Sequence, residues 1–216
     1  MLTTIQLNPA DCDFPSALAR FLGNHAPKSI RVLGDVNLLK RRSLALFCSV
    51  KCPGDLILKT FDLARELRDE GVLVIGGFHS PMERECLELL LKGKQPVMIC
   101  PARSIENMRL HEEWQRPLEQ GRLLLLSPFG PEHKRVNARL AEQRNLFIAA
   151  LATIIFIAHA QPGGKTLALA TAAISWNKPV HTFNHPTNSV LIQAGAEISN
   201  PMHNKRFAEK RSGHAN

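Results

Sequence analysis

The sequence predicts an α/β fold with an open, doubly wound and mostly parallel sheet of the Rossmann type. Six short apolar runs predict its strands, because continuous apolarity bounded by Gly, Pro or Ser is typical of strands buried on both faces. Segments with helical periodicity separate these runs, and alternating strands and helices build parallel sheets through crossover connections. The runs span residues 44–49, 72–77, 96–100, 122–127, 153–158 and 179–183.

Helices are predicted after the first two runs. Apolar residues recur every three or four positions from Ile57 to Leu67, which indicates an amphipathic helix. The next helix begins after Ser80, since Pro81 suits the first helical position and Glu83 can complete a capping box with Ser80. The capping box gives Glu83 a structural role before any catalytic one.

Residues 44–200 are expected to form the Rossmann-like domain, with one further segment on each side. Residues 1–43 predict an N-terminal extension packed on the sheet, containing a short helix and a small strand near "IRVLGD". The final residues, 201–216, are rich in Lys and Arg and poor in apolar residues. Such a composition predicts a mobile, basic tail.

The composition indicates an intracellular protein with an anionic partner. The 216 residues include 27 Lys and Arg against 19 Asp and Glu, a formal charge of +8, which favours nucleic acid, a nucleotide or anionic lipid. No apolar run reaches the roughly 18 residues of a membrane span, and the N-terminus does not resemble a signal peptide. We therefore expect a cytoplasmic protein without a membrane partner. The five scattered cysteines are expected to be reduced thiols, mostly buried.

The stretch "HAQPGGKT", residues 159–166, contains the Gly-Lys-Thr of many nucleotide-binding loops. A Walker A loop has the form G-x-x-x-x-G-K-[ST], and its first glycine would fall on His159. Because histidine adopts the required left-handed backbone less readily than glycine, ATP hydrolysis of the Walker type is not predicted. A phosphate-contacting turn is still expected, with Lys165 as a point charge and Thr166 as a donor.

Other polar residues also follow predicted strands, where ligands of open α/β sheets bind. Ser49 ends the first run and Lys51 follows it, and Gly76 and Gly77 end the second run. The helix start behind the glycine pair would offer unpaired N–H groups and the positive end of the helix dipole to an anion. A tight turn that merely requires glycine explains the pair equally well.

No motif for catalysis or metal binding is found in the sequence. It contains no G-x-S-x-G elbow, no H-E-x-x-H and no G-x-G-x-x-G after a strand. His181 and His185 have no Cys, Asp or Glu close to them in the chain that would complete a metal site. We therefore expect a binding protein without catalytic residues, cofactor or metal.

The order of these pieces resembles the DNA-processing protein A family, also called Smf. "GVLVIGGFHSPMERECLELL" is similar to the family's second strand and helix, and "GRLLLLSPFGP" to its strand ending in Ser-Glu. "RNLFIAALATIIFIAHA" is similar to its Arg-Asn-Arg-x-Ile motif, and "PGGKTLALATAAISWNKPVHTF" stands where the family has Ser-Gly-Ser-x-x-Thr-Ala. The resemblance covers about residues 30–197. The chain departs from the family at three motifs. "CSV" replaces the Gly-Ser-Arg turn that ends the family's first core strand, "GGFHSPME" lacks the Ala and the Gly-Ile-Asp of the second-strand signature, and Leu146 replaces the last arginine of Arg-Asn-Arg.

The resemblance implies a Rossmann-like domain that binds single-stranded DNA in one anion-binding cleft, as part of DNA processing or uptake. We also expect a homo-oligomer, namely a dimer. Carried over by position, the family's motifs place the following residues in the cleft: Ser49, Lys51, Gly76, Gly77, Phe78, His79, Ser80, Ser127, Arg144, Asn145, Gly163, Gly164, Lys165 and Thr166.

A second resemblance offers an enzymatic alternative. "PGGKTLALA" begins like the Pro-Gly-Gly-x-Gly-Thr-x-x-Glu loop of the nucleoside-monophosphate phosphoribohydrolases, often labelled lysine-decarboxylase-like. The catalytic glutamate of that loop is missing, which leaves N-glycosidic hydrolysis without an evident general base. The alternative to a binder of single-stranded DNA is therefore a sensor or hydrolase with a pocket for one nucleotide.

Overall fold

A computed structural model of the chain describes residues 3–198. Within them, nine strands form one sheet: β1 (Ile5–Leu7), β2 (Ile30–Gly34), β3 (Leu44–Phe47), β4 (Val74–Gly76), β5 (Val97–Ile99), β6 (Leu123–Ser127), β7 (Ile154–Ile157), β8 (Val180–Thr182) and β9 (Glu197–Ile198). The α-helices are α1 (Ser16–Leu22), α2 (Gly54–Asp69), α3 (Pro81–Leu91), α4 (Glu112–Glu119), α5 (Ala138–Leu151), α6 (Lys165–Ser175) and α7 (Ser189–Gln193).

The strand order is β1-β2-β6-β5-β4-β3-β7-β8-β9. From β6 to β9 every neighbouring pair is parallel, whereas β1 and β2 join the edge of the sheet in antiparallel pairs. The six apolar runs of the sequence contain β3 to β8, one strand in each run. The predicted α/β class and the open, mostly parallel sheet are therefore confirmed.

The N-terminal segment extends the sheet as well as packing on it. Its strand β2 pairs with β6, with Val32 opposite Leu126, and β1 pairs in turn with β2. The helix α1 contacts α5. The predicted basic tail, residues 201–216, lies outside the residues that the structure describes.

Helices cover both faces of the sheet. Successive side chains of a strand point to opposite faces, so a strand between two helical layers buries all of its side chains. In β3, Leu44 and Leu46 pack in the core with α2 and α3, whereas Ala45 and Phe47 pack in the core with α5 and α6. All four side chains are buried. This arrangement explains why the strands appear in the sequence as continuous apolar runs. Among residues 3–198, no helix is both long and apolar enough to cross a membrane.

The strand order reverses between β3 and β7, which lie side by side with Ala45 opposite Ile155. From β3 the chain continues through α2 to β4 on one side, and from β7 it continues through α6 to β8 on the other. Loops diverge at such a switch point and leave a crevice at the carboxyl ends of the strands, where ligands of open α/β sheets bind.

The five cysteines are free thiols, and Cys48, Cys86 and Cys100 are buried. Burial raises the pKa of both Cys86 and Cys100 to about 12. These thiols therefore remain protonated near neutral pH and behave as small apolar side chains.

Candidate functional site

The loops that follow β3 and β7 are joined by two hydrogen bonds at the switch point. The Ser49 N–H donates to the carbonyl oxygen of His159 at 2.9 Å, and the Gln161 N–H donates to Ser49 Oγ at 3.0 Å. Ser49 thus lies against the stretch that leads into α6. Lys51, two residues further along the same loop, is exposed.

The turn after β7 presents an open helix start. Gly163 adopts a φ of 67°, and the Gly164 N–H donates to the Gln161 carbonyl at 2.9 Å, which closes the turn before α6. No side chain of the described residues caps the N-terminus of α6. The N–H groups of its first turn and the positive end of its dipole are therefore available to an anion.

The helix after β3 also begins without a side-chain cap from residues 3–198. Its first turn carries Asp55, whose carboxylate lies 3.1 Å from His185 Nε2 in the loop after β8. Two uncapped helix starts, those of α2 and α6, thus follow the two strands that define the switch point. The start of α2 differs in having its own acidic residue.

The turn after β4 is closed by Glu83. One carboxylate oxygen of Glu83 accepts the Cys48 N–H at 3.0 Å, and the other accepts the N–H groups of His79 at 2.9 Å and Ser80 at 3.1 Å. Ser80 Oγ accepts the Glu83 N–H, which confirms the predicted capping box. The expectation of unpaired N–H groups at this turn is wrong for His79 and Ser80, because an internal carboxylate already accepts both.

The glycines of this turn make room for the protein's own side chains. A Cβ atom on Gly77 would lie 1.6 Å from Nη1 of Arg144, and one on Gly76 would lie 2.8 Å from the ring of Phe78. Phe78 itself takes the left-handed conformation, with a φ of 46°. The space above both glycines is therefore filled from within the chain.

Arg144 extends from α5 to the carboxyl ends of β4 and β5. The side chain is buried, with 4% of the residue exposed, and Nη1 donates to the carbonyl of Cys100 at 3.0 Å while Nε donates to Asn145 Oδ1 at 2.8 Å. Burial lowers the pKa of Arg144, although the nearby Cys100 and Glu83 oppose this shift. Arg144 thus places a positive charge in contact with the Gly77 turn.

The remaining predicted site residues differ in accessibility. Ser127 is fully buried, donates to the carbonyl of Arg103 at 2.8 Å and accepts the Phe129 N–H at 3.1 Å, so it holds the loop after β6. Lys165 is exposed and forms an ion pair with Glu142 of α5. Side chains that solvent reaches at this edge include Ser49, Lys51, His79, Lys165 and Thr166.

A buried polar network behind the α6 turn was missed by the sequence analysis. His159 Nδ1 lies 3.0 Å from Asn188 Oδ1, and Asn188 Nδ2 donates to Thr182 Oγ1 and to the Ala158 carbonyl, both at 2.9 Å. This network joins β7 to β8 and to the 3-10 turn Pro186–Asn188. His159 does not adopt positive φ, in agreement with the absence of a Walker A loop. No sequence signal links Asn188 to this site, since its partners His159 and Ala158 lie 29 and 30 positions earlier in the chain and Thr182 lies in β8.

No metal site is formed within residues 3–198, because no three His, Cys, Asp or Glu side chains lie close enough together to hold an ion. The groups at this edge that can contact an anion include backbone N–H groups, hydroxyls and lysines, whereas the Glu83 carboxylate is used internally.

The chain matches the family model of DNA recombination-mediator protein A over residues 6–208. It belongs to the DNA recombination-mediator protein A family. The resemblance seen in the order of the sequence motifs is thereby confirmed. The sequence matches no curated protein.

Solved structures of this family share the fold. DNA processing protein A from Helicobacter pylori, which binds single-stranded DNA, is similar with a TM-score of 0.76 and 18% identity, covering 95% of this chain and 96% of that one. DNA processing protein A from Streptococcus pneumoniae is similar with a TM-score of 0.75 and 17% identity, covering 92% and 71%. A molybdenum cofactor binding protein from Rippkaea orientalis is more distant, with a TM-score of 0.54, 11% identity and coverage of 78% and 98%.

Proposed function

We propose that this protein binds single-stranded DNA at the carboxyl ends of β3 and β7, with the open N-terminus of α6 as the principal phosphate contact. The observation that carries the proposal is the pair of uncapped helix starts at the switch point. Membership of the DNA recombination-mediator protein A family and the DNA-binding relative from Helicobacter pylori support a single strand as the ligand.

The contacts would be made to the phosphate backbone. The first N–H groups of α6 and the Thr166 hydroxyl can donate to phosphate oxygens, and Lys165 adds a positive charge once a phosphate replaces Glu142 as its partner. Lys51 extends this surface along the loop after β3. Arg144 would support the site from below, since it is buried and its donors already have partners. Backbone contacts of this kind bind many sequences with similar affinity.

We propose that binding proceeds without catalysis. The buried carboxylate of Glu83 accepts three backbone N–H groups, so its oxygens are used in holding two loops together. The alternative of a nucleoside-monophosphate phosphoribohydrolase requires the glutamate at the end of its Pro-Gly-Gly-x-Gly-Thr-x-x-Glu motif as general base, and the sequence has no glutamate at that position. The expected dimer and the expected cytoplasmic location stay predictions.

Replacing Lys165 tests the proposal. Lys165→Ala should weaken binding of a fluorescein-labelled oligothymidylate by about tenfold at low salt and lower the salt dependence by about one counterion. Glu142→Gln should strengthen binding a few-fold, because Lys165 loses its competing carboxylate. Fluorescence anisotropy at several salt concentrations measures both effects.

The matched control is Lys94→Ala, which removes an exposed lysine from the loop before β5, at the opposite edge of the sheet. It should leave the affinity within about twofold of the unmutated chain. Undetectable binding at low salt, or equal affinity in Lys165→Ala and the unmutated chain, would falsify the proposal. Stabilisation in a thermal-shift assay by mononucleotides but not by oligonucleotides would favour the single-nucleotide alternative instead.

A further inference from the structure

One pair of aromatic rings lies at the edge of the sheet opposite the switch point. Phe21 of α1 and Trp176 at the end of α6 have ring centroids 5.7 Å apart. Both rings line a cavity of about 390 Å³, together with Thr153 and Pro179, which directly precede β7 and β8. The cavity therefore lies at the amino ends of the strands, at the edge opposite the proposed DNA site.

The cationic side chains of Lys178 and Arg20 both lie close to the ring of Phe21. Lys178 Nζ lies 4.3 Å from the centroid of Phe21, and the guanidinium carbon of Arg20 lies 5.1 Å from it. Neither side chain forms an ion pair with a carboxylate of residues 3–198. Burial and the neighbouring Arg20 lower the pKa of Lys178 to about 8. Two positive charges thus lie close together, and a negatively charged ligand beside them would be favoured.

Lys178 has a structural role in this arrangement. Its Nζ donates to the carbonyl oxygens of Ala150 and Ala152, both at 2.6 Å, at the C-terminus of α5. A lysine at this position satisfies carbonyls that have no partner within the helix and complements the helix dipole. Arg20 has no such bond and is exposed, so it is the cation that can reach a ligand.

A basic run of the sequence enters the sheet beside this cavity. Thr153 Oγ1 accepts the Ser43 N–H at 3.2 Å, and Ser43 ends the basic stretch Lys40 to Ser43. Arg41 in this stretch is exposed, whereas Lys40 is paired with Asp13 at 2.6 Å. The stretch has no role in the proposed site at the switch point.

We propose that this cavity is a second ligand site that takes a nucleotide unit, with a base stacked on Trp176 and a phosphate beside Arg20. Aromatic rings combined with arginine are what proteins use to hold bases of single strands, and the volume lies in the range of about 300–1,000 Å³ that is typical of small-molecule sites. The nucleotide unit could be free or part of a DNA strand, since both present a base and a phosphate. The site does not depend on the proposed DNA contacts of α6.

Fluorescence of Trp176 tests this proposal. The chain has two tryptophans, so a Trp114→Phe background leaves Trp176 as the only one, and Lys165→Ala in the same background weakens the site at the switch point. Thymidine monophosphate, an oligothymidylate and inorganic phosphate are titrated separately. We expect the nucleotide ligands to quench the emission, and Arg20→Gln to weaken that binding at least about fivefold.

The matched control is Arg65→Gln, which removes an exposed arginine of α2 from the other face of the sheet and should leave the titration unchanged. Quenching by the monophosphate indicates a site for free nucleotides, whereas quenching by the oligonucleotide alone indicates a site for a strand. No quenching by either, equal binding in Arg20→Gln, or inorganic phosphate competing as well as the nucleotides would overturn the proposal.

A second measurement avoids the Trp114→Phe substitution. In an NMR spectrum of the chain with both tryptophans present, the indole N–H signal of Trp176 should shift on addition of the nucleotide ligand while that of Trp114 stays in place. A shift of neither signal would contradict the proposal. Lys165 is intact in the NMR sample but is replaced by Ala in the fluorescence series. Comparing the two experiments therefore distinguishes failure of the cavity site from failure of the proposed site at α6.

Discussion

The two glycine turns at the carboxyl edge of the sheet look alike in sequence and differ in chemistry. After β4, Gly76 and Gly77 lead into α3, and after β7, Gly163 and Gly164 lead into α6. The first turn is closed, because the carboxylate of Glu83 accepts its N–H groups. The second turn is open, because no side chain of the described residues caps α6.

The difference depends on the third residue of each helix. Glu83 occupies that position in α3 and reaches back to the turn, whereas Leu167 occupies it in α6 and packs against the core. A glycine pair before a helix therefore does not define a phosphate site by itself. An internal acid at the third helical position can take the place that a phosphate would otherwise fill.

Arg144 beside the closed turn and Lys165 beside the open turn also differ in burial. Arg144 is buried under the closed turn, where it has exchanged solvent for the Cys100 carbonyl and Asn145. Lys165 at the open turn is exposed and paired with Glu142, which is also exposed. A buried charge with fixed partners contributes to structure, while an exposed ion pair is readily exchanged for a phosphate.

The largest effect is expected from removing the carboxylate at the closed turn. Glu83→Ala leaves the N–H groups of Cys48, His79 and Ser80 without their acceptor, so the free energy of unfolding should fall by about 3 kcal/mol. Glu142→Ala at the open turn should change it by no more than about 0.5 kcal/mol, since an exposed ion pair contributes little. Urea unfolding followed by circular dichroism measures both, and similar losses would remove the distinction between the turns.

A smaller difference in the free energy of unfolding is expected between Gly77→Ala and Gly163→Ala. Gly77→Ala forces the guanidinium of Arg144 from its position, so it should destabilise the chain by about 2 kcal/mol through lost buried hydrogen bonds. In Gly163→Ala the added methyl group meets no atom within 4 Å, and only the positive φ opposes it, which costs about 1 kcal/mol. The same unfolding assay compares them. A greater loss in Gly163→Ala would show that Arg144 is not held as tightly as its contacts indicate.

The smallest change in stability is expected from Thr166→Glu, which tests DNA binding separately from folding. Thr166→Glu places an acid in the first turn of α6, as α3 already has, and should raise the unfolding free energy by a few tenths of a kcal/mol, roughly what a favourable dipole interaction supplies. The same variant should bind oligothymidylate about tenfold more weakly, because the carboxylate repels phosphate. Anisotropy and urea unfolding on one preparation report both quantities. Unchanged DNA affinity would contradict the open turn as the phosphate site.

Much of the fold could be predicted because the relevant signals are local. The apolar run that contains β3 is continuous because its four side chains are buried on both faces, and the Ser80 to Glu83 spacing specifies a capping box within a single turn. The extension of the sheet by β2 could not be read in the same way. Its pairing with β6 joins residues some hundred positions apart, and no local pattern encodes a strand partner.

The candidate site shows the same limit residue by residue. Gly163 to Thr166 lie on one turn and one helix start, so their position after β7 follows from the strand that precedes them. Arg144 reaches Gly77 from a different helix, and the sequence alone does not show that it covers the turn.

By itself, the sequence determined the apolar strands β3 to β8 and the capping box that starts α3, because each depends on residues within a few positions of one another. The tertiary structure alone decided which other elements meet at the closed turn. That outcome depends on side chains brought together from separate elements: Glu83 links its own turn to the Cys48 N–H of another loop, and Arg144 fills the space over Gly77 from α5. Long-range packing, which no local spacing encodes, therefore ties the α3 turn to two other elements, whereas the third helical residue, Glu83 or Leu167, sets whether the turn is closed.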